Sequence, residues 1–259
     1  MDNKLWLRAG LAGTALCVIA FVAVLKPAFA DRMTLWNIVH GACAPHEEAG
    51  QGPAPCVDVD IKAGEDKGVA LLKDLHGVAQ ELAIPTGRVI GIEDPQLLSP
   101  GAPDYFAYAW KERAALETIL KRPLPREAVG VAVNSMYARS QDQLHLHIDC
   151  MDKGVVAALG GYQDALDATF RPMTIALNGR TYWARAVTSA DLAQATPFTL
   201  LADGIAGARA QMGAWSILLV GATIKGEPGF VLLADHAEML GGGHAEALQD
   251  HECAIAGGA

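Results

Sequence analysis

Polar and apolar residues alternate between Gln141 and Cys150, in the order Gln-Asp-Gln-Leu-His-Leu-His-Ile-Asp-Cys. A period of two predicts a β-strand, because successive side chains of a strand point to opposite faces of its sheet. Gln143, His145 and His147 would therefore share one face. Two imidazoles beside an amide make a poor surface for a hydrophobic core, so we expect this strand to contribute active-site residues.

The hydrophobic pattern before this strand predicts a small α+β unit. Apolar residues at helical spacing indicate helices, and short apolar runs bounded by turn residues indicate strands. In chain order, the predicted elements are a helix over 33–42, a loop over 45–55, strands over 68–73 and 80–84, a helix over 103–121 and a strand over 128–133. The histidine strand completes the unit.

The C-terminal half repeats this pattern in part. Asn178 and Gly179 are typical of a tight turn and predict a hairpin between strands over 173–177 and 181–187. The elements predicted after this hairpin are a helix over 197–211 and strands over 215–220 and 230–234. This half is either a degenerate second copy of the first unit or an extension of its sheet, and the pattern alone leaves both open.

The N-terminus is predicted to enter or cross a membrane. Residues 9–25 contain no charged residue, and Lys4 and Arg8 precede them. This length is near the lower limit for a membrane-spanning helix, for which about 20 residues are typical. We expect residues 1–30 to be an uncleaved anchor; the alternative is a signal peptide cleaved after Ala28-Phe29-Ala30. Because basic residues before the run stay in the cytoplasm, residues 31–259 would form one domain outside it.

Charge and cysteine usage fit an exported domain that binds no nucleic acid. The formal net charge is −9, whereas nucleic acids bind proteins with a surplus of Lys and Arg. Four cysteines lie in the predicted domain, namely Cys43, Cys56, Cys150 and Cys253. They predict two disulfides, with three possible connectivities. A Cys43–Cys56 bond would close a short loop, and a Cys150–Cys253 bond would tie the C-terminus to the histidine strand; four free thiols are the alternative.

A neutral imidazole on the histidine strand can attack a phosphorus atom. The resulting phosphoramidate is cleaved by water, which replaces one difficult displacement with two easier ones. Hydrogen-bond donors must then stabilise the charge on the phosphoryl oxygens. Candidate donors lie just before the strand: Asn134, Ser135, Ser140 and Gln141.

Two other roles for the histidine pair stay open. The pair could bind a metal, with Asp149 on the same face as the third ligand, or it could be purely structural. The other six histidines stand alone in predicted loops or helices. They are expected at the surface: His40, His46, His76, His236, His244 and His251.

The segment from Gln143 to Ile148 resembles the signature of the histidine-triad superfamily, in which three histidines alternate with apolar residues. Gln143 stands in place of the first histidine. Over nearly its whole length the chain also resembles the bacterial CDP-diacylglycerol pyrophosphatase family. Besides the apolar N-terminus and the cysteines, that resemblance rests on Leu72-Lys73-Asp74-Leu75, Pro85-Thr86, Trp110, Val133-Asn134-Ser135 and Gln249-Asp250-His251-Glu252-Cys253.

The resemblance implies a histidine-triad-like α+β fold, with helices packed on an antiparallel sheet. It also implies a single-pass protein of the bacterial inner membrane, with its domain on the periplasmic side. The implied reaction is hydrolysis of CDP-diacylglycerol by water to CMP and phosphatidate, without a metal or another cofactor. Tethering suits this substrate, because two acyl chains keep it in the bilayer.

The resemblance also assigns roles to individual residues. His145 would be the nucleophile, and His147 would support the phosphate site. Gln143 would contact the leaving group or the phosphate, although an amide cannot act as a general acid. The remaining assigned residues would bind phosphate or balance the charge of the substrate: Asn134, Ser140, Gln141 and Lys73.

Two alternative functions stay open beside the implied one. The first is another histidine-triad reaction, namely hydrolysis of soluble nucleotides or nucleotidyl transfer. The second is a nucleotide-lipid binding protein without catalytic activity. Both would keep the phosphate-binding strand, and they differ from the implied function in the substrate or in the absence of turnover.

Overall fold

The computed structural model of the chain describes residues 31–238 and 241–257. The predicted membrane segment, residues 1–30, lies outside these ranges. Within them, no helix combines the length and apolar character needed to cross a bilayer.

The nine strands found in these ranges form one sheet, and all neighbouring strands are antiparallel. The strands are β1 (Asp58–Asp60), β2 (Val69–Lys73), β3 (Glu81–Pro85), β4 (Val129–Val133), β5 (Leu146–Cys150), β6 (Arg171–Pro172), β7 (Trp183–Thr188), β8 (Trp215–Ile224) and β9 (Glu227–His236). Their order across the sheet is β1-β2-β3-β5-β4-β8-β9-β7-β6. The C-terminal strands therefore extend the N-terminal sheet through the β4–β8 pair, and the predicted α+β class with an antiparallel sheet is confirmed.

Short helices connect and cover the strands. The α-helices are α1 (Thr34–Ile38), α2 (Ala44–Glu48), α3 (Tyr105–Glu112), α4 (Ala114–Leu120), α5 (Lys153–Gly160), α6 (Ser189–Leu192) and α7 (Pro197–Gly204). A π-helical turn, Val39–Cys43, joins α1 to α2. The 3₁₀-helices are Glu65–Lys67, Pro95–Leu98, Arg126–Ala128, Gln163–Ala165, Ala208–Ala214 and Ala245–Leu248.

Several predicted boundaries were wrong. Helix α2 occupies the start of the predicted loop over 45–55, because Pro45 lies in the first turn, where no backbone N–H is needed. The helix predicted over 103–121 is divided at Arg113. No strand forms over 173–177, where the structure has only an isolated bridge between Leu177 and Arg180.

The β8–β9 hairpin contains the two longest strands of the sheet, and both are longer than predicted. Ile224 pairs with Glu227, so the connection consists of Lys225 and Gly226 alone. Both connecting residues have positive φ angles, 52° and 85°. This conformation matches the twist of the adjoining strands, and it allows pairing to continue to the ends of both.

The two faces of β5 have different neighbours. Leu146 and Ile148 point into the largest apolar cluster, whereas the alternate residue His147 points to the opposite face. There, His147 is flanked by its register partners Leu82 on β3 and Ala132 on β4. Leu82 packs with the N-terminal helices and Ala132 packs with α5. The histidine therefore lies between two apolar clusters.

Two disulfides fix the ends of the described chain. The Cys43–Cys56 bond joins the π-helical turn to the segment before β1, and the Cys150–Cys253 bond joins the end of β5 to the C-terminal segment. This is one of the three connectivities that the sequence allows. The second bond holds the C-terminal segment against the strand of the histidine pair.

Candidate active site

His145 is a buried imidazole with one ring nitrogen bonded to the backbone. Its Nδ1 lies 2.7 Å from the backbone carbonyl oxygen of Gln143. Because a carbonyl oxygen can only accept, Nδ1 carries the proton and Nε2 keeps its lone pair. Burial lowers the pKa of His145, although the hydrogen bond to Gln143 opposes this effect. The ring is therefore neutral near pH 7, and none of the described residues forms a hydrogen bond with Nε2.

His147 holds its proton on the other ring nitrogen. The amide nitrogen of Gln80 lies 2.6 Å from Nδ1 of His147, and Oε1 of Glu246 lies 3.3 Å from the same Nδ1. With the Gln80 amide in this orientation its N–H donates to Nδ1, which assigns the proton of His147 to Nε2. This Nε2–H group is buried and has no hydrogen-bond partner in the described part of the chain. The two histidine rings are 4.9 Å apart. One ring of this adjacent pair thus offers a lone pair on Nε2, and the other offers an unpartnered N–H donor.

Burial also keeps His147 neutral. Burial is the main reason that its pKa is lowered to about 4, and the neighbouring His145 lowers it further. A neutral ring can donate one hydrogen bond from Nε2 to an anionic oxygen while accepting one at Nδ1. This arrangement suits a phosphoryl oxygen, on which charge increases during displacement.

Glu246 connects the histidine pair to the C-terminal segment. Its Oε2 accepts a 2.8 Å hydrogen bond from the amide of Asn134, and its Oε1 accepts a 3.3 Å hydrogen bond from Gln80. Burial raises the pKa of Glu246, but the nearby imidazoles of His244 and His147 and the hydrogen bonds from Asn134 and Gln80 together hold it well below its usual range. Glu246 is therefore an anion at neutral pH.

Asp149 and His251 complete this group of polar residues. Nδ1 of His251 lies 2.7 Å from Oδ2 of Asp149, and Nε2 of His251 lies 3.4 Å from Oε1 of Glu246. Asp149 is fully buried, and its Oδ1 accepts a hydrogen bond from the backbone N–H of Cys150. We call these six side chains the histidine cluster: Gln80, His145, His147, Asp149, Glu246 and His251.

Comparison with known proteins gives a consistent result. The family model of CDP-diacylglycerol pyrophosphatase matches residues 30–257. The CDP-diacylglycerol pyrophosphatase of Yersinia pestis is 38% identical over 252 residues, which are 96% of this chain and 95% of the relative. The chain belongs to the CDP-diacylglycerol pyrophosphatase family. This confirms the resemblance to that family found in the sequence, and the matched range includes the whole histidine cluster.

In this family member, Asn134 reaches the histidine cluster through Glu246. Its amide donates to Oε2 of Glu246, and its Oδ1 accepts from the backbone N–H of the same residue. Asn134 was predicted as a donor to phosphate. The structure shows that its amide is bonded to a carboxylate beside the histidines.

Gln143 lies in a bend before β5 rather than in the strand. Its side chain is fully buried and donates to the carbonyl oxygens of Pro85 and Gly87, both at 2.9 Å. Its Oε1 accepts from Arg88. The side chain of Gln143 therefore links the end of β3 to the segment carrying His145.

The other predicted phosphate-binding residues are outside the cluster. Gln141 accepts a hydrogen bond from the backbone of Leu35, and Ser140 is exposed. Lys73 pairs in register with Glu81, on the face of the sheet opposite His147, and its Nζ donates to the backbone carbonyls of Asp74 and Gly77. The structure thus does not bring these three residues to the histidine pair.

Sequence patterns did not reveal Gln80, Glu246 and His251 as members of the cluster. His251 was expected at the surface, but its side chain is only 38% exposed and contacts two carboxylates. The available signal was its position two residues before Cys253. A disulfide from that cysteine to the histidine strand would bring His251 next to Asp149.

The third ligand of the metal alternative is already engaged. Asp149 is bonded to His251 and to the backbone of Cys150. Across residues 31–238 and 241–257, the one trio of His, Cys, Asp or Glu ligand atoms at metal-binding spacing is Asp149, Cys150 and Cys253. Both thiols of that trio are in a disulfide. The residues therefore do not fit the alternative metal site formed by His145, His147 and Asp149.

Proposed function

We propose that this chain hydrolyses the pyrophosphate bond of CDP-diacylglycerol to CMP and phosphatidate through a covalent intermediate on His145. Family membership supports the substrate. One observation carries the mechanism: Nδ1 of His145 donates to the Gln143 carbonyl, which leaves Nε2 with a free lone pair beside the unpartnered Nε2–H of His147. The histidine-triad-like spacing of the two residues supports the same mechanism.

In the first step, Nε2 of His145 attacks the phosphorus atom that bears cytidine. A nitrogen–phosphorus bond forms, and the bond from this phosphorus to the bridging oxygen breaks. The bridging oxygen leaves with the electron pair as part of phosphatidate. Because phosphatidate is a stable phosphate monoester, its departure does not need the general acid that Gln143 cannot supply.

During this step the histidine pair stabilises charge of both signs. The Nε2–H of His147 donates to a phosphoryl oxygen as negative charge builds on it. The ring of His145 becomes positive on bonding to phosphorus, and the hydrogen bond from its Nδ1 to the Gln143 carbonyl becomes charge-assisted.

In the second step, water attacks the phosphorus atom of the intermediate. The nitrogen–phosphorus bond breaks, its electron pair returns to Nε2, and the water oxygen becomes part of CMP. The proton lost by water passes to solvent or to the phosphate of CMP. The neutral His145 is thereby restored for the next turnover.

Hydrolysis in ¹⁸O-labelled water tests which phosphorus atom is attacked. The proposal predicts label in CMP and none in phosphatidate. His145→Asn should lower CMP release by about 10³-fold or more, as expected for loss of a nucleophile. His40→Asn is a control, because the ring of His40 forms a hydrogen bond with Glu65 and contacts no member of the histidine cluster. Label in phosphatidate, or unchanged release by the His145 variant, would contradict the mechanism.

A substrate comparison and a measurement in EDTA separate the alternative functions. The proposal predicts faster turnover of CDP-diacylglycerol in mixed micelles than of soluble dinucleotides, and it predicts full activity in EDTA. Preference for the soluble dinucleotides would favour the other histidine-triad reaction. Binding of the lipid without CMP release would favour the non-catalytic alternative, and loss of activity in EDTA would favour a metal-dependent hydrolase.

We also propose that residues 1–30 anchor the domain to the inner membrane, on its periplasmic side. The apolar run with preceding Lys4 and Arg8 supports this orientation. A tether would keep the enzyme beside a substrate whose acyl chains cost about 0.8 kcal/mol per CH₂ to remove from a bilayer. External protease should digest the domain in spheroplasts. Protection of the domain in intact spheroplasts would contradict the proposed orientation.

A further inference from the structure

We infer that His251 is a positioning residue: as an imidazolium held by Asp149, it fixes Glu246 so that Gln80 keeps His147 in the form protonated on Nε2. This inference rests on the proposed function, because it assigns the proton that His147 offers to the phosphate. It extends the reaction from the histidine pair to the C-terminal segment, which the sequence pattern placed at the surface.

The inference begins with the contacts of Gln80. Its amide nitrogen has two hydrogens, and two acceptors lie within reach: Nδ1 of His147 at 2.6 Å and Oε1 of Glu246 at 3.3 Å. If the amide turned over, its oxygen would instead face the Glu246 carboxylate. Because this would bring two oxygens together, the ionised Glu246 favours the orientation in which Gln80 donates. The same Oε1 also lies 3.3 Å from Nδ1 of His147, so the position of Glu246 bears directly on which nitrogen of that ring holds the proton.

His251 holds Glu246 in this place. Its Nε2 lies 3.4 Å from Oε1 of Glu246, the same oxygen that accepts from Gln80. Its Nδ1 lies 2.7 Å from the fully buried Asp149. With a carboxylate at each nitrogen, the imidazolium can donate to both, whereas a neutral ring can donate to only one.

The charges around His251 favour its protonated form. Its own burial lowers its pKa, but Asp149, Glu246 and Asp74 raise it more, and the net shift is upward. His147, the other titratable group of the cluster that faces it, is neutral, since its pKa is lowered to about 4. Burial raises the pKa of Asp149 to about 6 despite the hydrogen bond from His251 and with Asp250 adding to the increase. Asp149 is therefore mostly ionised at pH 7, and the upward shift of the His251 pKa favours an imidazolium beside it.

The backbone around His251 is held in place independently of its ring. The backbone N–H of Val78 donates to the carbonyl oxygen of His251 at 2.8 Å, and that of Asp250 donates to Cys150. The Cys150–Cys253 disulfide closes the segment two residues later. Replacement of the ring is therefore expected to leave the segment in place, so its effect reports on the cluster.

The test compares pH profiles of kcat for the whole protein and three variants. Wild-type kcat is expected to fall at alkaline pH as His251 loses its proton. In His251→Gln, kcat should be about tenfold lower, as for loss of other groups that orient an active-site histidine, and this alkaline decline should be absent. Asp149→Asn should move the decline to lower pH by about one unit, and His40→Gln should match the wild type.

A ¹⁵N NMR spectrum of the imidazoles gives a readout that does not depend on turnover. The wild type should show His147 with its proton on Nε2, and His251→Gln should move part of this proton to Nδ1. A wild-type pH profile and an unchanged His147 tautomer in His251→Gln would overturn the inference, as would a uniform loss of kcat that leaves the alkaline decline in place. If wild-type protein released no CMP, the proposed function itself would fail, and the two failures are thus distinguishable.

Discussion

At the scale of single residues, the site depends on which nitrogen of each histidine carries the proton. His145 is protonated on Nδ1 and His147 on Nε2, because one faces a carbonyl oxygen and the other an amide N–H donor. The same two side chains with reversed tautomers would present a donor where the proposed mechanism needs a lone pair. The hydrogen bonds to Gln143 and Gln80 therefore matter as much as the two rings.

Acid pH should destabilise the protein through His147. Its pKa is about 4 in the folded state, chiefly because of burial, and about 6.5 in an unfolded chain. As pH falls, the unfolded state binds this proton first, so the free energy of unfolding decreases between about pH 6.5 and pH 4. The decrease amounts to about 3 kcal/mol. In urea titrations, His147→Gln should lose this part of the pH dependence. Parallel pH profiles for variant and wild type would contradict the buried, neutral His147.

The sequence alone predicted the part of the site that is local in the chain. His145 and His147 are two residues apart, so a period of two was enough to place them together. Gln80 and Glu246 are 67 residues before and 99 residues after His147, and no periodicity connects positions so distant. Gln143 was placed on the same face because the alternation begins before the strand does, whereas in the structure a bend turns it toward Pro85 and Gly87.

At the scale of elements, the strands next to β5 carry a buried charge that the proposed reaction does not use. Glu81 on β3 pairs in register with Lys73 on β2 and with Ile148 on β5. Its side chain lies beside an open cavity of about 580 Å³, and its Oε2 has no partner among the described residues. Burial raises the pKa of Glu81 to about 7, although Lys73 lowers it.

Glu81→Gln should therefore stabilise the protein at alkaline pH. The folded carboxyl has a pKa of about 7 and the unfolded one about 4.5, so folding loses stability as pH rises between these values. With allowance for screening by solvent in the cavity, the free energy of unfolding of the variant should exceed that of the wild type by about 2 kcal/mol at pH 8. At pH 4 the two should be almost equal. Denaturant titrations at both pH values measure this difference. An equal effect at the two pH values would contradict the raised pKa.

The elements themselves were predicted best where residues alternate or form apolar runs. Strands β2, β3, β4 and β7 lie close to their predicted positions, because each is bounded by turn residues. The 3₁₀-helix Ala245–Leu248 was missed, and the helix predicted over 33–42 changes at Val39 into a π-helical turn that the pattern did not distinguish. Both are short, and contacts with the sheet rather than local periodicity stabilise such pieces.

At the scale of the whole molecule, the Cys150–Cys253 bond joins structure and site. It closes a loop with a sequence separation of 103 residues, whereas the Cys43–Cys56 bond closes one of 13. It also holds the segment that carries Glu246 and His251. The two disulfides should therefore differ in their effect on activity more than in their effect on stability.

Removing each disulfide by paired Cys→Ala substitutions tests this difference. Loop entropy predicts that the free energy of unfolding falls by about 4 to 5 kcal/mol without the Cys150–Cys253 bond and by about 3 kcal/mol without the Cys43–Cys56 bond. Under conditions where both variants stay folded, the Cys150/Cys253 variant should lose kcat and the Cys43/Cys56 variant should keep it. Unfolding curves and kcat measure the two effects. Equal kcat in both variants would show that the site does not need the Cys150–Cys253 bond.

The account depends most on the covalent bond between His145 and the nucleotidyl phosphorus. Rapid mixing with CDP-diacylglycerol, an alkaline quench that preserves phosphoramidates, and mass spectrometry of the peptides test it directly. We predict a CMP adduct on the peptide containing His145 that forms and decays within one turnover and is absent in His145→Asn. A CMP adduct on another residue, or release of CMP in a single turnover without any adduct on His145, would contradict the account.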